Sequence, residues 1–153
     1  MIVQKIIQEH TRLLSMVGGG NYETLLTELG NYAIEKGLAR EGFTEALLER
    51  ERKYPTGIQA RTGIAIPHSE QEFTIKPTVI IALLDKETLF RPMGGGSDVF
   101  VRTVFLLLLD KMEHQVEMLS NIVAFIQDEE KMKKLQVREE AEDMISSFEQ
   151  FFV

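Results

Sequence analysis

Residues 63–70 read GIAIPHSE: an apolar run meets a proline, and a histidine follows at once. The residue before a proline is driven into extended backbone, so Ile66 should close a strand and His68 should stand on the rim of a sheet. Strand ends in α/β sheets are where ligands are usually met. A neutral imidazole there keeps one ring nitrogen unprotonated near pH 7 and can act as a nucleophile. The plain alternative is a turn histidine satisfied by local hydrogen bonds. The other histidines are His10 and His114, and the chain has no cysteine. Disulfides, thiolate metal sites and a cysteine nucleophile are therefore excluded within these residues. No HExxH-type spacing supports a zinc site either.

The elements that must hold His68 can be read from the hydrophobic pattern. GIAI (63–66), TVIIALLD (78–85) and VFVRTVFLLLLD (99–110) are rich in β-branched and apolar residues, as strands buried on both faces should be. FRPMGGGSD (90–98) reads as the loop between the last two. Upstream, residues 1–17 lack a clean period and read as a short helix or a strand. After Gly18–Gly20, Asn21 can cap a helix with Leu25, Leu26, Leu29, Ala33 and Ile34 on one face, ended by Gly37. A second helix is expected from about Glu41 to Lys53, buried through Phe43, Leu47 and Leu48, and stopped by Pro55. Beyond Asp110 the period turns helical again, with Val116, Leu119, Ile122, Val123 and Ile126 as the expected apolar stripe. Two short helices, about 129–135 and 138–151, complete the chain. Helices before and after a block of strands imply a sheet covered on both faces.

Bulk properties narrow the function. The 153 residues fit one domain, 1–153, with 44% hydrophobic and 27% charged residues, as in ordinary globular proteins. A net charge of −7 without a long basic block argues against nucleic acid. The longest apolar run, Val104–Leu109, is far too short to span a bilayer, and MIVQKIIQEH has no signal-peptide core. A cytoplasmic location is expected.

GIAIPHSE does not stand alone. It follows LLERERKYPTG (47–57), so that Arg50-Glu51, then Pro55-Thr56-Gly57, then Ile64 to His68 occur in order. Further on, DKMEHQVEMLSNI (110–122) has a histidine opening a helix. Across roughly residues 15–135 this resembles the IIA component of the bacterial phosphoenolpyruvate-dependent sugar phosphotransferase system, in its fructose/mannitol superfamily. The connection IQART (58–62) is similar to the galactitol branch.

The resemblance implies a three-layer α/β/α sandwich with a central mixed β-sheet, the mannitol-type IIA fold. It implies a phosphotransferase in which His68 accepts a phosphoryl group from phospho-HPr, through Nε2, and hands it to a IIB component on a separate chain. Through IIB the group would serve a membrane IIC. His114 is implied as the neighbouring histidine of the pocket, and Arg50 as a cation near the phosphoryl group. An arginine fork suits phosphoryl oxygens, and a histidine can donate to them. No cofactor or metal is implied, because phosphohistidine is itself the donor. Ser69, where the family commonly has threonine or glycine, could bond the phosphoryl group or be a turn serine. His10, with no motif around it, is expected to be exposed. The alternative function is that of a nitrogen-type IIA protein, which signals by phosphorylation-dependent binding; a domain that binds partners without phosphorylation is a third reading.

Overall fold

Three apolar segments of the middle of the chain lie side by side, and a hairpin and a short edge strand complete the sheet. The computed structural model describes residues 2–135 and 138–152. Its strands are β1 (Ile2–Gln8), β2 (Thr11–Gly18), β3 (Gly57–Gln59), β4 (Gly63–Ala65), β5 (Thr78–Phe90) and β6 (Val99–Leu108). They form one sheet in the order β1-β2-β5-β6-β4-β3. The sheet is mixed: β2 and β5 run parallel, as do β4 and β6, while β1–β2, β5–β6 and β3–β4 are antiparallel.

Helices α1 (Tyr22–Glu35) and α2 (Phe43–Lys53) cover one face, packing on Leu14, Met16, Ile80, Ala82 and Leu106. Helices α3 (Met112–Gln127), α4 (Glu129–Leu135) and α5 (Arg138–Ser146) cover the other, packing on Leu13, Val79, Ile81, Phe105 and Leu107. Successive residues of β5 thus serve opposite cores, which is why that strand reads as a continuous apolar run. The architecture is the expected three-layer α/β/α sandwich with a mixed sheet.

Several details differ from the sequence reading. Residues 2–18, whose pattern allows helix or strand, form the β1–β2 hairpin. Strand β5 continues past Asp85 to Phe90, because an irregularity between Leu83 and Thr88 lets Asp85, Lys86 and Glu87 face solvent before Thr88 re-enters opposite Val101. The loop after it accordingly begins at Arg91. On α3 the buried line is Met118, Ile122, Phe125 and Ile126, whereas Val116 and Val123 are 58% and 40% exposed. Two stripes with helical spacing, offset by one helical position, compete in that segment. The bulk of Met118 and Phe125 fills the space above the sheet better than the two valines.

Strand β4 is pressed against β6. A Cβ built on Gly63 would lie 2.0 Å from the Phe100 carbonyl oxygen, at the point where the β4–β6 register shifts. Gly63→Ala is therefore expected to cost about 2 kcal/mol through forced displacement of β4. A urea midpoint equal to that of the unsubstituted protein would contradict it.

Candidate functional site

The topology brings three separate segments to one edge of the sheet. Strand β4 ends beside the end of β6: Leu107 N donates to the Pro67 carbonyl at 3.1 Å, and His68 bridges to Leu107. Strand β3 runs antiparallel to β4, so its first residue, Gly57, lies opposite Ala65. The end of α2, linked to Gly57 by Pro55-Thr56, is thereby carried to the same edge. Strand β6 also finishes there, and α3 starts four residues later at Met112. Gln71 Nε2, in the 3-10 turn (Gln71–Phe73) that follows His68, donates to Met112 Sδ at 3.6 Å and ties the start of α3 to that turn.

His68 itself is held by its own strand. Its Nδ1 lies 2.9 Å from the Ile66 carbonyl oxygen. A carbonyl only accepts, so Nδ1 carries the ring proton and Nε2 keeps its lone pair. Burial, first of all, holds the ring's pKa below the ordinary histidine value, against the hydrogen bond to Ile66; Arg50 lowers it further and Glu70 raises it. The ring is therefore neutral near pH 7, with Nε2 unprotonated.

Arg50 is close enough for its charge to act on His68. Among the described residues it makes no ion pair, and its guanidinium carbon lies 5.4 Å from the Tyr54 ring centroid. Arg50, Tyr54, Glu70 and Phe73 line a cleft of about 360 Å³. His114 is half-buried in the first turn of α3. Ser69 is buried, and its hydroxyl donates to Glu70 Oε2 at 2.7 Å, so it is not free to donate elsewhere without leaving that carboxylate. His10 is not exposed as expected. Its Nδ1 lies 2.7 Å from the Pro77 carbonyl, and its ring stacks on Phe152 at 4.8 Å. The C-terminal 3-10 turn (Ser147–Phe152) folds over the β1–β2 turn there, a contact between chain ends that local pattern does not reveal. Among the described residues, no three His, Asp or Glu side chains stand together so as to hold a metal ion.

The sequence pattern includes Glu51 and Thr56 without assigning them work. Glu51 is 3% exposed; its carboxylate accepts from Thr56 N at 2.7 Å and from Thr56 Oγ1 at 2.8 Å. Thr56 Oγ1 in turn accepts from Ile66 N at 3.1 Å. The chain of bonds fastens the end of α2 to the residue whose carbonyl orients His68. One signal for this was present: Glu51 shares a helical face with Phe43 and Leu47, both core residues. Gly57, the third residue of Pro-Thr-Gly, exchanges bonds with the stem of the Gly94–Gly96 loop, to Arg91 O at 3.0 Å and from Met93 N at 2.8 Å. A Cβ there would meet Arg91 O at 2.6 Å, so only glycine fits.

Burial pushes the Glu51 pKa up to about 7, against the two bonds from Thr56. The folded protein then binds a proton that the unfolded chain releases above its ordinary value of 4.5. Folding stability contributed by this group should fall as pH rises from 4.5 to about 7, by about 3 kcal/mol in all. Glu51→Gln, which cannot ionise, should lose that slope. Parallel denaturation curves for the two proteins at pH 5 and pH 8 would refute it.

Residues 7–151 match the family described as "Phosphoenolpyruvate-dependent sugar phosphotransferase system, EIIA 2". The galactitol-specific EIIA component of the phosphotransferase system of Escherichia coli K12 is 29% identical over 96 residues, 62% of this chain and 64% of that protein. The chain thus matches less than two thirds of the length of that curated relative. Among solved structures, a complex of enzyme IIAMTL and phosphorylated enzyme IIBMTL from Escherichia coli has a TM-score of 0.71 at 18% identity, covering 87% of this chain and 94% of that one. The nitrogen regulatory protein IIA-Ntr from Neisseria meningitidis has a TM-score of 0.69 at 21% identity, covering 89% and 92%. At these identities both likenesses speak to the fold.

Proposed function

Because this chain belongs to the EIIA 2 family of the phosphoenolpyruvate-dependent sugar phosphotransferase system, we propose that it is a phosphocarrier for uptake of a sugar or sugar alcohol, with His68 as its phosphoryl acceptor. One observation carries the reading: Nδ1 of His68 is committed to the Ile66 carbonyl, so the unprotonated Nε2 is left to attack phosphorus. In the transfer, the Nε2–P bond forms while the donor's P–N bond breaks, its electron pair returning to the donor nitrogen. Little covalent chemistry is asked of the protein beyond position and charge. Arg50 supplies the charge, and His114 a donor from the start of α3. The likeness to a galactitol-specific EIIA component favours transport over signalling, since the nitrogen regulatory neighbour is a likeness of fold.

The donor is phospho-HPr and the acceptor a IIB component, since residues 1–153 include no cysteine to take the group onward. The IIB would pass it to a membrane IIC; no described helix of this chain is long and apolar enough to cross a membrane itself. Incubation with phosphoenolpyruvate, enzyme I and HPr should place one phosphoryl group on the chain, labile to acid as a phosphoramidate is. A chain that stays unlabelled would defeat the reading. HPr and IIB must reach the same ring nitrogen, so they are expected to compete. Formation of a ternary complex in a binding titration would contradict that expectation.

A further inference from the structure

A relay residue must release its phosphoryl group as readily as it takes it, and a pocket of cations alone would hold that group too well. Next to His68 the chain carries a fixed anion. Glu70 is exposed, yet Oε2 accepts from the buried Ser69 hydroxyl at 2.7 Å, which holds a carboxylate whose charge acts on the His68 ring. It lines the same cleft as Arg50. The Ser69 hydroxyl first, then its own backbone N–H, and also the charge of Arg50 and that of the His68 ring when protonated at lower pH, hold its carboxyl below the usual range, so it is ionised throughout the neutral region. Charge balance decides what this anion does. When Nε2 takes the phosphoryl group with Nδ1–H still on Ile66, the ring gains a positive charge and the phosphoryl brings nearly two negative ones. The site becomes more negative by about one charge. Arg50 favours that change and Glu70 opposes it.

We propose that Glu70 is a positioning residue of opposite sign to Arg50, moored by Ser69 so that its repulsion keeps the phosphoryl group on His68 transferable. This rests on the phosphocarrier reading. The Glu70 carboxylate is exposed to solvent, and a unit charge screened as in water alters an equilibrium about fivefold at about 4 Å.

The test measures, by 31P NMR, the equilibrium between phospho-HPr and this protein for the unsubstituted chain, Glu70→Gln and Arg50→Gln. Glutamine keeps an acceptor for Ser69 and removes only the charge. Glu70→Gln should shift the equilibrium about fivefold toward the phosphorylated protein and Arg50→Gln should shift it the other way, with both shifts shrinking in about 0.5 M salt. In the unphosphorylated protein, Glu70→Gln should also lower the pH at which the His68 ring titrates. Among the described residues, the charges shown acting on the ring are Arg50 from α2 and Glu70 from the following turn. Labelling of all three proteins with equal equilibria, or a shift away from phosphorylation in Glu70→Gln, overturns this proposal and leaves the phosphocarrier reading standing. No labelling of the unsubstituted protein removes both. An unchanged ring titration in Glu70→Gln overturns the coupling whatever the labelling.

Discussion

His68→Ala is expected to take up no phosphoryl group from phosphoenolpyruvate, enzyme I and HPr. The substitution removes the ring held at the edge where β4 and β6 end together. It should leave the fold in place, because the bonds that hold this segment run to the main chain: Leu107 N to Pro67 O, and Ile66 N to Thr56 Oγ1. His10 supplies the control. Its ring stacks on Phe152 and its Nδ1 meets Pro77, in contacts that involve none of the His68 segment. His10→Ala should therefore label normally, whatever it costs in stability. Acid-labile label on His68→Ala would mean that another histidine is the acceptor.

Arg50→Ala and His114→Ala should each slow transfer strongly while still permitting it. On the proposed phosphocarrier reading, each substitution removes a donor to the transferring oxygens, a loss of about 2–4 kcal/mol by analogy with a single oxyanion donor. That corresponds to roughly thirtyfold to a thousandfold in rate. For Arg50 an unfolding artefact is not expected, since its side chain rests on Tyr54 at the surface and closes no ion pair among the described residues. Single-turnover transfer from phospho-HPr, followed on stably folded protein, gives the rates directly. Two variants as fast as the unsubstituted chain would place the pocket elsewhere.

Glu51 shows where legibility in the sequence stops. The order Arg-Glu, Pro-Thr-Gly, Pro-His is plain in the chain, and so is the mouth of a strand at His68. The reason for Glu51 is not, because its two bonds to Thr56, and the further bond between Thr56 and Ile66, exist only once α2 has docked beside β4. Glu70 closes GIAIPHSE, yet an exposed glutamate after a serine carries no signal until its neighbours are known. Period alone puts Val116 and Val123 in the core, but the choice between two helical stripes belongs to the shape of the sheet surface beneath.

The local, strong preferences were readable from the chain by itself. Proline at 67 ends a strand and positions the histidine after it, apolar runs buried on both faces declare a covered sheet, and the ordered motifs identify the phosphotransferase family. These depend on residues near one another in sequence. Only the tertiary structure decided which segments share an edge, and hence which side chains act together. The antiparallel turn of β3 against β4 brings the end of α2 to His68, and the parallel pairing of β4 with β6 brings the start of α3 there. The tie from the buried Glu51 through Thr56 to Ile66, and the Arg50 charge that acts on His68, result from that convergence, because hydrogen bonds and charges act over a few ångströms while these residues belong to separate elements. The ring tautomer and the Ser69–Glu70 bond are local, made between residues close in sequence.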